Sequence, residues 1–240
     1  MRVALFTTCL VDHLAPQVAA ATVEVLRRAG VAVRYDPQQT CCGQLPLNDG
    51  FWPEARALAR RHLALLGEAD AVVIPSGSCT AMVRHWYPRL FAAGPERERA
   101  EAAAGRTYEL CEFLVRRLGV TGVEAVFPHR VTYLASCHGY RELGLGDLPL
   151  RLLRAVRGLE LRPLPHIEEC CGFGGAFAVK MADLSASMLE AKLRAVEASG
   201  AEVVTGTDLS CLMHVAGGLR RRGSPVRAVH IAEILASPPP

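Results

Sequence analysis

The stretches "QTCCGQ" (residues 39–44) and "EECCGFGG" (residues 168–175) carry the same Cys-Cys-Gly triplet, 129 residues apart. The chain has nine cysteines, and eight fall into two matching sets: Cys9, Cys41, Cys42 and Cys79, then Cys137, Cys170, Cys171 and Cys211. The offsets between matching members are 128, 129, 129 and 132. A near-constant offset across four positions marks an internal duplication. The flanking text repeats as well. "VALFTTC" (3–9) parallels "VTYLASC" (131–137), and "ADAVVIPSGSCTAMV" (69–83) parallels "GAEVVTGTDLSCLMHV" (200–215). "TYELCEFLV" (107–115) parallels "VRAVHIAEIL" (226–235), which sets Cys111 opposite Ala232. Cys111 therefore reads as a small buried residue.

Each half reads as alternating strand and helix. In the first, strands are expected at Val3–Thr7, Val31–Tyr35 and Ala71–Ile74. Helices are expected at Pro16–Ala29, stopped by Gly30, and at Trp52–Leu66, entered through Pro53. In the second, strands are expected at Val131–Ala135, Leu159–Leu164, Val203–Thr205 and near Val226–Val229, with helices near 147–156, 180–199 and 211–221. This alternation predicts an α/β protein of two tandem similar domains, each a small, mostly parallel sheet flanked by helices. The domains are expected at 1–122 and 123–240, facing one another with pseudo-twofold symmetry. The join lies in "GVTGVEAVFPHR" (119–130), and "SPPP" (237–240) is expected to fray.

On this reading Cys9 and Cys137 end a first strand, the triplets follow a second, and Cys79 and Cys211 follow a third at a helix start. The carboxyl ends of parallel strands share one edge, where ligands bind, so the four sulfurs of a half should converge. Helix N-termini favour thiolates there, and Gly43 and Gly172 let the backbone turn closely beside the sulfurs. Three chemistries suit such a site. Zinc takes four thiolates, though structural zinc sites usually draw on Cys-x-x-Cys knuckles, absent here. A disulfide between neighbours is poor geometry, because consecutive α-carbons lie about 3.8 Å apart and disulfides want about 4.4–6.8 Å; it would be a strained redox device. Iron–sulfur clusters are held by cysteine thiolates, commonly four. A cluster offers several metal atoms, so adjacent cysteines can bind different irons.

The doubled Cys9 … Cys41-Cys42-Gly43 … Cys79 pattern resembles the duplicated cysteine-rich CCG domain family, which includes a cysteine-rich component of heterodisulfide reductase and the iron–sulfur subunit of glycolate oxidase. "FTTCLVDHLAP", "QTCCGQ", "PSGSCTAMV", "ECCGFGGAFAVKM" and "SCLMH" look most similar to its lactate utilization protein A branch, and the likeness runs from residue 2 to about 235. The resemblance implies an iron–sulfur electron-transfer component, not self-sufficient, of a multiprotein system that oxidises L-lactate to pyruvate. It also implies partners that are iron–sulfur or flavin proteins, and ligation of 4Fe-4S centres by the eight cysteines. In the heterodisulfide reductase component each half ends in Cys-x-x-Cys, giving a fifth ligand; here Met82 and His214 stand at those last positions. A cubane, a three-iron cluster or zinc in one half all stay open, with His214 a possible extra ligand.

Composition excludes several other classes. The net charge of +3 is too small to argue for nucleic acid. No run of about 18 apolar residues occurs and the N-terminus lacks a signal-peptide pattern, so the expectation is a cytoplasmic chain without a membrane span, its thiols reduced. Lysine occurs only at Lys180 and Lys192, against 25 arginines, which reads as a compositional bias. His13 and His138 are candidate hydrogen-bond donors to sulfur, and Arg141 a candidate carboxylate binder. Glu168 and Glu169 read as solvated loop charges, and Ser76, Ser78 and Ser136 as caps and turn residues. "GFGGAF" lacks the full dinucleotide pattern.

Overall fold

In a computed structural model, residues 1–122 and 124–238 are described. The chain divides into two units, Met1–Leu118 and Gly119–Pro240. The boundary expected from the sequence falls at Val123, which lies outside the described residues, as do the last two residues of the expected tail.

Each unit is built on one four-stranded sheet whose strands all run parallel. The first contains β1 (Arg2–Leu5), β2 (Ala32–Tyr35), β3 (Ala71–Ile74) and β4 (Thr107–Glu109), in spatial order β2-β1-β3-β4. The second contains β5 (Arg130–Leu134), β6 (Glu160–Arg162), β7 (Val203–Gly206) and β8 (Arg227–His230), in the order β6-β5-β7-β8. The two orders are the same, as a duplication requires. The central strands β3 and β7 are buried along their whole length, because helices cover parallel sheets on both faces. Burying each Val or Ile of such a strand contributes about 1.5–3 kcal/mol relative to exposure.

Helices Trp52–Leu66, Ala182–Ala198 and Leu209–Arg221 supply the long packing faces. Trp52–Leu66 coincides with its expected span, set by Pro53 at the first turn and Gly67 after the last. Each unit has its own core: Phe6, Val72, Ile74 and Tyr87 anchor the first, and Leu134, Val196, Val204 and Val215 the second. Among the described residues no helix is long and apolar enough to cross a membrane.

Three local expectations change. The first strand stops at Leu5, not Thr7, because the Gln39 side chain takes over: its Nε2 donates to Leu5 O at 2.6 Å and its Oε1 accepts from Thr7 N at 3.0 Å. Cys9 therefore opens the helix Cys9–Leu14 instead of ending the strand, and Cys137 lies three residues beyond β5. The first unit also has a fourth strand, β4, in a stretch whose apolar spacing reads equally as helix. Pairing of Val72, Val73 and Ile74 with Thr107, Tyr108 and Glu109 decides it. Finally, β6 spans Glu160–Arg162 only, since Pro163 has no N–H to extend the ladder.

Candidate functional site: two cysteine quartets

The strand order creates one place in each sheet where a site belongs. The connection from β1 runs outward to β2 on one side and that from β3 runs outward to β4 on the other, so the β1/β3 crevice is the topological switch point; in the second unit it is β5/β7. Cys9 follows β1 and Cys79 follows β3, flanking the first crevice, and the Cys41-Cys42 pair follows β2 alongside. Cys137, Cys211 and the Cys170-Cys171 pair repeat this around β5, β7 and β6.

Within each set the thiols lie close enough to shift one another's pKa in series: Cys9 with Cys41, Cys41 with Cys42, and Cys42 with Cys79. The second unit repeats the series: Cys137 to Cys170, Cys170 to Cys171, and Cys171 to Cys211. The second residue of each pair and the last cysteine are buried, whereas Cys9, Cys41, Cys137 and Cys170 are half-buried. All nine cysteines are free thiols. Among the described residues no group of three or more His, Cys, Asp and Glu side chains is placed to hold a metal ion. The interactions run in series, with two members on neighbouring residues.

The electrostatics are the same twice over. Cys41 is held well below the usual thiol range because Cys42 and Cys9 hydrogen-bond to it and Gly43 N donates at 3.4 Å. Cys170 is held down by Cys137, Cys171 and Gly172 N, also at 3.4 Å, and by the charge of Arg141. Cys9 and Cys137 are pushed up by their bonds to Cys41 and Cys170 and then by burial. In each quartet the first cysteine of the vicinal pair is the one most disposed to ionise.

The glycine of each triplet is required by space. Gly43 and Gly172 have φ of +89° and +85°, in the left-handed region that favours glycine. A Cβ on Gly43 would lie 3.1 Å from Ala55 O, and one on Gly172 would lie 2.7 Å from Ser185 O. The triplet is pressed against the long helix that follows it.

Thr8, just before Cys9, also has positive φ, +72° with ψ +151°, a region nearly reserved for glycine. Its hydroxyl faces Val11 N at 3.5 Å. Ser76 caps the helix that carries Cys79, accepting from Cys79 N at 3.3 Å, and Ser136 accepts from Gly139 N at 3.1 Å.

Other candidate residues separate. His138 Nδ1 lies 3.6 Å from Cys137 Sγ, whereas His13 is exposed. Arg141 donates to Glu168 O at 2.8 Å. His214 sits edge-on to Phe173 with Nε2 3.4 Å from Ser185 Oγ, and burial lowers its pKa against the opposing pull of Cys170. Met82 is buried. Glu168 and Glu169 are exposed.

Several supporting residues were missed. Tyr87 donates to Cys42 O at 2.9 Å and meets His62 Nδ1 at 2.9 Å. Ser185 donates to Gly172 O at 2.7 Å. Lys192 Nζ donates to His166 O at 2.7 Å. Lys192 left a signal in the sequence, since it stands on the buried stripe of its helix with Ser185 and Val196, an unusual place for lysine. Tyr87 and Gln39 left none, because each acts across a distance in the chain that only folding closes.

A chain folded as two matching parallel-sheet units, each gathering four cysteines at its switch point, is a duplicated cysteine-rich α/β protein. The cysteine-rich CCG domain family matches residues 3–84 and 131–216. A lactate utilization protein A from Geobacillus thermodenitrificans is 46% identical over 98% of each chain. Another, from Bacillus velezensis, is 48% identical over 99% of this chain and 100% of its own. Among solved structures, an aspartate racemase homologue from Pyrococcus horikoshii covers 98% of this chain and 95% of its own at 11% identity and a TM-score of 0.36, too distant to bear on fold or chemistry. The chain belongs to the cysteine-rich CCG domain family, in its lactate utilization protein A group.

Proposed function

We propose that each quartet holds an iron–sulfur centre, four-iron in the simplest form, and that the chain carries electrons within a cytoplasmic multiprotein system oxidising L-lactate to pyruvate. The single observation that carries this reading is the gathering of four cysteines, a vicinal pair among them, beside one switch point, made twice. The donor set fits such a group by its chemistry: four thiols per unit, one of them favoured toward thiolate, and backbone N–H groups of Gly43 and Gly172 aimed at sulfur. The proposed ligands are Cys9, Cys41, Cys42 and Cys79 in the first unit, and Cys137, Cys170, Cys171 and Cys211 in the second. The names of the relatives support the lactate context.

The chain's own part is to hold the ligands and tune them. Thiolate ligation would require these thiols to give up their protons. Gly43 N–H and Gly172 N–H donate to sulfur, and such bonds to ligand sulfur raise a reduction potential. When bound, the group supplies one-electron uptake and release. His214, at the position of the extra ligand in the heterodisulfide reductase component, lies against Ser185, which supports a hydrogen-bonding role. Lactate yields two electrons, which flavin or nicotinamide proteins usually accept, so the partners are expected to be flavin or iron–sulfur proteins.

Anaerobic purification followed by iron, sulfide and zinc analysis with electron paramagnetic resonance tests this. The expected result is brown protein with iron and sulfide in comparable amounts. Colourless protein with stoichiometric zinc overturns it in favour of a zinc-stapled scaffold. Metal-free protein that reduces a small disulfide overturns it in favour of dithiol chemistry.

A further inference from the structure

Lys192 is 1% exposed. A buried ammonium is costly unless its surroundings compensate it, and this one is built in. Its Nζ donates to His166 O at 2.7 Å. His166 has φ of +52°, a left-handed conformation uncommon outside glycine; the twist accompanies a carbonyl aimed at the ammonium. Burial lowers the pKa of Lys192, and four negative or ionisable groups oppose that fall: Glu169, Cys171, Glu168 and Cys170. The two glutamates are exposed, so water screens them. Cys171 is buried and Cys170 half-buried, so water screens their interaction with Lys192 less than it screens the glutamates.

The first unit has no such charge. Gly43 packs on Ala55 as Gly172 packs on Ser185, and seven residues further along each helix His62 stands where Lys192 does. His62 is buried and burial pushes it down to about 3, so it is neutral at pH 7 and meets the Tyr87 hydroxyl that donates to Cys42 O. A second substitution runs the same way. Four residues beyond the first cysteine, His13 in one unit is Arg141 in the other, and the charge of Arg141 reaches Cys170.

We propose that Lys192 is an electrostatic positioning residue that makes the second cysteine quartet, Cys137 to Cys211, a better electron acceptor than the first. This rests on the reading that the quartets hold iron–sulfur centres. One electron taken up by the second centre adds one negative charge beside a fixed positive one, with no proton moved and no bond broken. No matching charge meets the electron in the first unit, so the two halves are electronically unequal despite their shared topology.

The test uses the full-length chain carrying Cys41→Ser and Cys42→Ser, which leaves only the second quartet intact. Lys192 is compared with Lys192→Gln, which keeps a donor for His166 O, with Lys192→Met, and with Lys192→Arg, by dithionite titration followed by electron paramagnetic resonance. The Gln and Met variants are expected to disfavour reduction by about tenfold, ~59 mV for a one-electron couple, while Arg stays within twofold of wild type. In a Cys170→Ser, Cys171→Ser chain, Lys192→Met is expected to leave the remaining centre unchanged. Unaltered potentials in the Gln and Met variants overturn the proposal, as does an equal shift of the first centre. Loss of iron from all three Lys192 variants also overturns it, in favour of a purely structural lysine. Absence of iron and sulfide from the unsubstituted protein is seen before any titration, and overturns the underlying reading itself.

Discussion

Gly172 and Gly43 explain, residue by residue, why each triplet ends as it does. Both need positive φ, but their surroundings differ: a Cβ on Gly172 meets Ser185 O at 2.7 Å and Met188 Cβ at 2.9 Å, whereas on Gly43 its tightest neighbour is Ala55 O at 3.1 Å. Backbone strain alone costs about 1–3 kcal/mol, and a contact under 3 Å adds to it. Gly172→Ala is therefore expected to destabilise by about 2–4 kcal/mol and Gly43→Ala by about 1–2 kcal/mol, read from urea midpoints. Equal losses would contradict the packing difference. The glycines were legible in the sequence as turn residues beside the sulfurs. The helix carbonyl pressed against them was not, because Ser185 lies 13 residues away and no local pattern records that approach.

Among the secondary-structure elements, the helices after β4 and β8 begin alike and are chemically different. Glu109 caps the first, its Oε2 accepting from Cys111 N at 2.7 Å and Glu112 N at 3.2 Å. His230 caps the second, its Nδ1 accepting from Ala232 N at 3.2 Å, while Glu233 closes a capping box onto His230 N. Glu109 is fully buried, and its Oε1 has no hydrogen-bond partner among the described residues. Burial raises its pKa to about 8, and the nearby charge of Glu112 adds to the rise. Glu112 itself is paired with Arg84 at 2.7 Å and Arg116 at 3.1 Å. An acid with a raised folded-state pKa binds its proton more tightly in the native chain, so its contribution is complete below about 4.5 and is lost as pH rises through about 8. The protein should lose stability between about pH 5 and pH 9. Glu109→Gln keeps an acceptor for the cap but cannot ionise, so its stability should fall less over that window, by on the order of 5 kcal/mol. Denaturation at several pH values checks this; an unchanged slope would assign the pH dependence elsewhere. Here the sequence was least informative. The duplication aligned "TYELCEFLV" with "VRAVHIAEIL", yet β4 emerged only from pairing with β3, since three residues carry too little periodicity to separate strand from helix.

For the chain in its entirety, two units with separate cores and the same strand order predict separable sites. Cys41→Ser with Cys42→Ser is expected to remove about half of the iron and sulfide and to leave the electron paramagnetic resonance of the other half intact; Cys170→Ser with Cys171→Ser should do the reverse. Loss of all iron from either pair would mean a single centre. The duplication, the parallel α/β class and the two matching sets of four cysteines could be read without coordinates, because a repeat offset and strand–helix alternation are local or periodic quantities. Coordinates were needed to see that each set of cysteines gathers beside one switch point and that Tyr87 holds the Cys42 carbonyl. They were needed as well to see a buried lysine tied to the His166 carbonyl ahead of one triplet while a neutral histidine stands in its place in the other unit. Those facts depend on which remote side chains share a dry interior, where a charge or a missing hydrogen bond counts for far more than it does in water.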